Sequence, residues 1–171
     1  EALVMYQVGA IMTFAKAYSM EIEHVRPHGA MYRQAAENIE TSRTIARAIK
    51  KCSKWLIYYG ATGDNLAQVG EEENIQVAHE VHLEKIYDTN GNIDFSARDL
   101  ENTNVSIQRL KDLLQNSQVS NNVGGKTIVR ADSIHFSNKL PNAKDLVIQA
   151  RGIIEPLPYN YKNAQKSGWV D

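Results

Sequence analysis

Apolar positions recur along the chain in blocks whose spacing switches between helical and strand periods. Leu3, Tyr6, Ala10, Phe14 and Ala17 fall at helical intervals and predict an amphipathic helix over residues 2–18. Alternation predicts a strand over Ile22–Val25, which runs into the turn Pro27-His28-Gly29-Ala30. Residues 30–37 and 41–51 read as helices, the second capped by Thr41 or Ser42. Trp55–Tyr59 is a short apolar strand ended by Gly60, and residues 61–64 form a polar loop. A helix near residues 65–72 leads to a strand over Ile75–Val81. Asn90-Gly91 between Tyr87 and Ile93 predicts a hairpin-like excursion, because that dipeptide favours turns with positive φ. Val105, Ile107, Leu110, Leu113 and Leu114 mark a helix over 105–116. Residues 117–126 read as a polar loop, 127–136 as holding a strand, and 140–154 as a final helix. This order, β then α four times over without a tandem repeat, predicts an α/β fold: a mainly parallel sheet or an incomplete βα barrel over residues 1–155. Residues 156–171, with two prolines, Tyr159, Tyr161 and Trp169, predict an irregular tail.

Bulk properties narrow the function. A length of 171 residues fits one domain, and 43% apolar residues suffice for a sizeable core. Nineteen Lys and Arg against 20 Asp and Glu leave a formal charge of −1, so no basic field is expected to hold nucleic acid. The single cysteine, Cys52, excludes an intramolecular disulfide and fits a reducing compartment. No apolar run approaches the ~20 residues of a membrane span, and no secretory signal opens the chain. A cytoplasmic protein without a membrane is the expectation.

Candidate chemistry centres on His24-Val25-Arg26-Pro27-His28-Gly29. Imidazole is the side chain most easily tuned for proton transfer near neutral pH. Pro27 fixes one backbone dihedral and Gly29 opens conformations closed to other residues, so His28 can be held at the mouth of a βα unit, where α/β proteins place their chemistry. Arg26 can bind a carboxylate or phosphate. The plainer alternative has His28 bonded to a backbone carbonyl, fixing the loop. His24, inside the strand, reads as a satisfied core histidine. Glu80 closes a strand, a good place for a base or a partner of a cationic group. Glu84 and Lys85 follow, either near a site or as an ordinary surface ion pair. Gly63 would let backbone amides approach a phosphate, although Asp64 reads better as the cap of the helix after it. His79 and His82 straddle Glu80, but a spacing of three on a strand points them to opposite faces. No ligand spacing for a metal is evident, and none is expected.

Several segments, in order, resemble the LamB/YcsF lactam-utilisation family, whose members include the A-type subunit of 5-oxoprolinase. They are Tyr6-Gln7-Val8-Gly9-Ala10, His24-Val25-Arg26-Pro27-His28-Gly29-Ala30-Met31-Tyr32, Ile57-Tyr58-Tyr59-Gly60, Val77-Ala78-His79-Glu80-Val81 with Lys85-Ile86-Tyr87, Val129-Arg130-Ala131-Asp132-Ser133-Ile134, and Pro141-Asn142-Ala143. The resemblance implies a βα barrel of the glycoside hydrolase/deacetylase type. It also implies ATP-dependent opening of 5-oxoproline, a small-molecule lactam, to glutamate with other 5-oxoprolinase subunits. Catalysis would then fall to His28 and Glu80, and binding of substrate or phosphate to Arg26, Lys85 and Gly29, with metal unknown. The family has lysine at the Arg26 position and an Asp-Arg pair at Glu84-Lys85.

Departures from the family pattern accompany these matches. The family carries an additional N-terminal portion with DLN-like and GFHAG-like motifs, which are absent here; the expectation is a fragment, a processed chain or a shortened relative. Unpaired barrel edges would then favour a homo-oligomer. After Ile134 the family continues with a cysteine or small residue, an apolar residue and His-Gly-Asp; here stand His135, Phe136, Ser137, Asn138 and Lys139. Alternation keeps His135 on the strand face of Ser137, where it partly compensates. Arg98 is the nearest stand-in for the arginine of a missing Pro-Arg-Ser segment. The competing functions are a non-catalytic binding or scaffolding relative, with the tail as contact surface, and a metal-dependent deacetylase.

Overall fold

The structure, a computed structural model, describes residues 1–140 and 142–154. Helix α1 (Ala2–Ala17) is followed by β1 (His24–Val25), α2 (Ala30–Glu37), α3 (Ile39–Cys52), β2 (Ile57–Ala61), α4 (Asp64–Glu73) and β3 (Val77–His82). Then come α5 (Thr103–Asn116), the short strands β4 (Gln118–Ser120) and β5 (Lys126–Ile128), β6 (Ser133–His135) and α6 (Ala143–Ile153). Strands β1, β2, β3 and β6 lie in that order in one four-stranded sheet, every neighbouring pair parallel. The result is the open half of a barrel, as the β-α alternation predicts. The register sets Ala61 beside Glu80, Glu80 beside Ser133 and His82 beside His135.

Two apolar clusters hold the sheet to its helices. One joins Val4 and Val8 of α1, Ile45, Ala46, Ala48 and Ile49 of α3, Tyr58 of β2, and Leu66 and Val69 of α4. The other joins Val81, Leu83, Tyr87, Leu110, Leu113, Val119 and Ala150 beneath α5 and α6. Arg43 and Arg47 of α3 add ion pairs to Glu72 and Glu73 of α4.

Several element boundaries differ from the sequence reading. Strand β1 has two residues, not four, and Gly60 lies inside β2. Asn38 caps α3 by accepting from the Thr41 amide at 2.9 Å, in place of Thr41 or Ser42. Gly63 precedes α4 as its cap residue, and Asp64 is the first residue of the helix. The polar stretch after α5 folds into the antiparallel β4–β5 pair, and the strand read over 127–136 is two strands. The predicted excursion is present: Tyr87 bridges Ile93, and the Asp88 carboxylate accepts from the Asn90 and Asn92 amides.

The buried face of α1 is the reverse of the expected one. Leu3, Tyr6 and Phe14 are exposed while Val4 and Val8 are buried. This helix carries apolar residues on both sides, so periodicity alone does not select the face that packs. Pro141 and the tail with Tyr159, Tyr161 and Trp169 lie outside the described residues.

Candidate functional site

The carboxyl ends of β1, β3 and β6 meet at one edge of the sheet, and a polar cluster fills that edge. Arg26 leaves β1 immediately after Val25; Glu80 and His82 lie on the same face of β3, with His79 and Val81 on the other. Arg26 Nε donates to both oxygens of Glu80, at 2.9 and 2.7 Å. Tyr32, in the first turn of α2, donates its hydroxyl to Glu80 Oε2 at 3.0 Å and lies 2.9 Å from His82 Nε2. Its ring lies under the Arg26 guanidinium, 4.6 Å from centroid to Cζ. His82 Nε2 is 3.2 Å from Glu80 Oε2, and His82 Nδ1 is 3.3 Å from Glu84 Oε1. His135, brought alongside by β6, places Nδ1 3.6 Å from the same Glu84 oxygen. The two imidazole rings lie 4.3 Å apart.

Burial and charge act against each other in this cluster. Burial alone would raise the Glu80 pKa, but hydrogen bonds from His82 and Arg26 outweigh it and hold the carboxyl at about 2. Glu84 is likewise pushed well below the usual carboxylate range; burial opposes the shift, and His135 and His82 overcome it. Burial would lower His82, yet its bonds to Glu80 and Glu84 raise it. Burial first, then the Glu80 charge, raises Tyr32 and keeps it protonated.

The loop after β3 is fixed from below. The buried Tyr87 hydroxyl accepts from the His82 amide at 2.8 Å and lies 3.3 Å from the His82 carbonyl. Arg109 of α5, also buried, donates to the carbonyls of Leu83 at 2.7 Å, Lys85 at 2.6 Å and Ser120 at 3.1 Å. Beside it, the loop after β2 turns at Gly63, whose φ of 143° is one that side-chain-bearing residues rarely adopt.

The residues named from sequence divide into two groups. Arg26 and Glu80 come together. His28 is exposed on the β1–α2 turn, in a cleft shared with Gln7, Arg26 and Met31. Gly29 is the cap residue of α2, with φ 62°. Lys85 turns away to Asp99, 2.6 Å distant. His24 is exposed and stacked on Tyr59, with centroids 4.5 Å apart; in place of the expected core histidine stands a surface one. Arg98 is 86% exposed and pairs with Glu101, so it replaces no site arginine. Glu84 is buried rather than part of a surface pair with Lys85. Ser137 lies beyond β6 in a turn, where its hydroxyl accepts from the Lys139 amide at 3.3 Å. Sequence reasoning leaves out Tyr32, His82, Tyr87 and Arg109 as parts of the site. The signal for Tyr32 and His82 is proximity in sequence to His28 and Glu80; for Arg109 there is none.

Arg26 and Lys85, the two cations named for substrate or phosphate, are each paired with a carboxylate, Glu80 and Asp99.

The comparisons agree with this fold. The chain is 29% identical over 164 residues to the A-type subunit of 5-oxoprolinase from Bacillus licheniformis, covering 86% of this chain and 65% of that protein. It is 33% identical over 135 residues to the corresponding 5-oxoprolinase subunit of Brevibacillus brevis, covering 77% and 53% respectively. Thus it spans about two thirds or less of the length of these curated relatives. Its fold matches the crystal structure of a lactam utilization protein from Thermus thermophilus with a TM-score of 0.77 and 27% identity, covering 88% of this chain and 62% of that one. A LamB/YcsF family model matches residues 1–166, almost the whole sequence, and on that match the chain belongs to the LamB/YcsF family.

Proposed function

We propose that this chain is a component like the A-type subunit of 5-oxoprolinase, which acts with partner subunits in the ATP-dependent opening of 5-oxoproline, a lactam, to glutamate. The observation that carries the reading is the Arg26–Glu80 pair at the carboxyl ends of β1 and β3, where parallel α/β sheets place their chemistry. Both residues come from segments shared with the family. The relatives named as 5-oxoprolinase subunits support the same reading.

Ring opening needs a water made nucleophilic and a proton for the departing amide nitrogen. With its pKa at about 2, Glu80 is a weak base; its role here is to orient Arg26 and Tyr32. Proton transfer is assigned to His28, exposed in the cleft it shares with Arg26. The Arg26 guanidinium edge left by Nε is suited to the substrate carboxylate.

A non-catalytic binding component is the competing reading, favoured by Ser137, Asn138 and Lys139 standing where the family has His-Gly-Asp. The test is ATP-dependent glutamate formation from 5-oxoproline by the folded chain with candidate partner subunits, beside His28→Ala. Activity in the wild type that is lost in the variant is expected. Activity unchanged in the variant would remove His28 from the mechanism, and none in the wild type would favour the non-catalytic reading.

A further inference from the structure

Glu84 is the feature of the site that lactam chemistry does not explain. Its side chain is 3% exposed, and Oε1 faces two imidazole nitrogens, at 3.3 Å from His82 and 3.6 Å from His135. Its other oxygen, Oε2, is buried without a hydrogen-bond partner, and so is His135 Nδ1. A carboxylate only accepts, so whatever lies between it and an imidazole lone pair must be a proton or a metal cation.

A metal at this point takes the neutral form of His82, with its hydrogen on Nε2. Tyr32 donates to Glu80, so its oxygen lone pair and the Glu80 carboxylate both face His82 Nε2, at 2.9 and 3.2 Å. Nε2 therefore carries the hydrogen, which in the neutral ring leaves the Nδ1 lone pair aimed at Glu84. A carboxylate that receives the remote N–H of an imidazole is the usual outer partner of a metal-bound histidine.

Distances agree. Tetrahedral zinc with bonds near 2.05 Å sets its ligand atoms about 3.4 Å apart, and the two nitrogen–oxygen separations are 3.3 and 3.6 Å. One ligand atom from each of the three residues fits within a span of 4.8 Å. We propose that His82 Nδ1, the Glu84 carboxylate and His135 Nδ1 form a site for a divalent transition-metal ion, with zinc the best match to two nitrogens and one oxygen. This site is a property of this chain: His135 stands where the family resemblance places a cysteine or small residue. It does not depend on the lactam reading, and its test uses no lactam assay.

The experiment strips the purified chain with a chelator and titrates it with zinc chloride against a chromophoric competitor, then repeats the titration by absorption with cobalt(II). One zinc per chain and visible cobalt bands are expected. His135→Ala, a partly exposed position that is safe for folding, loses both, while His24→Ala, outside the cluster, keeps both. Glu80→Gln, which weakens the outer partner of His82, lowers zinc affinity about 10–100-fold. Equal zinc uptake by wild type and His135→Ala would overturn the proposal. So would no uptake by a wild type whose circular dichroism shows it folded.

Discussion

Arg26 and Glu80 are 54 positions apart in the chain, yet the Arg26 Nε–H is shared between both oxygens of the Glu80 carboxylate. The side chain of Glu80 is 7% exposed, so removing it strands a half-buried guanidinium and the hydroxyl of Tyr32. Glu80→Ala is expected to cost about 3 kcal/mol of folding stability. Arg26→Lys, which keeps the charge but loses the planar donor, costs about 1 kcal/mol. Urea unfolding midpoints of the two variants against wild type check this; equal midpoints for Glu80→Ala and wild type would refute it.

The same cluster sets the dependence of stability on pH. Glu80 falls from its ordinary 4.5 to about 2 on folding, against burial and because of His82 and Arg26. Its contribution is thus complete above about pH 4.5 and lost as pH falls toward 2. Glu84 shifts in the same direction. His82 shifts upward from 6.5, so its contribution is complete below that value and lost as pH rises through the higher folded value. In chelator-treated buffer, the thermal midpoint is expected to fall on both sides of a maximum between about pH 4.5 and 6.5. Glu80→Gln should flatten the acid side.

Tyr87 holds the end of β3 through its hydroxyl, which accepts from the His82 amide. Tyr87→Phe leaves that amide without its partner in a fully buried place and is expected to cost about 1–3 kcal/mol. Native-state hydrogen exchange at His82 should accelerate by the corresponding factor. Unchanged protection there would show that the hydroxyl is dispensable.

Gly63 combines a φ of 143° with an ideal Cβ position only 2.5 Å from Asn92 Oδ1. Gly63→Ala is expected to destabilise by about 1–3 kcal/mol. Adding Asn92→Gly should restore only the steric part and leave the backbone cost. Full recovery in the double variant would place the whole effect in the clash.

Much of the fold is legible in the sequence because its signals are local. The strand–turn–helix at Arg26 to Ala30 and the clear period of α5 are written into adjacent residues. The site is legible only where a residue sits at a recognisable position, as Glu80 does at a strand end. Glu84 beside Lys85 reads as a surface pair; its burial follows from the register that brings His135 next to His82. Arg109 reads as one polar residue on an amphipathic helix, although it is buried and satisfied by three backbone carbonyls. Helix α1 exposes the stripe that its periodicity assigns to the core, because two apolar faces compete in one helix. Information of that kind lies between distant segments, not within them.

Strand order in the sheet follows chain order, β1, β2, β3, β6, and all the pairs are parallel. Each strand therefore joins only after a crossover has closed, and the closure from β3 to β6 spans α5 and both short strands. Glu84 meets His135 only when that long crossover closes, so the cluster depends on a non-local pairing. Non-local closures of this kind slow folding, and the arrival of His135 beside His82 is its natural kinetic clock.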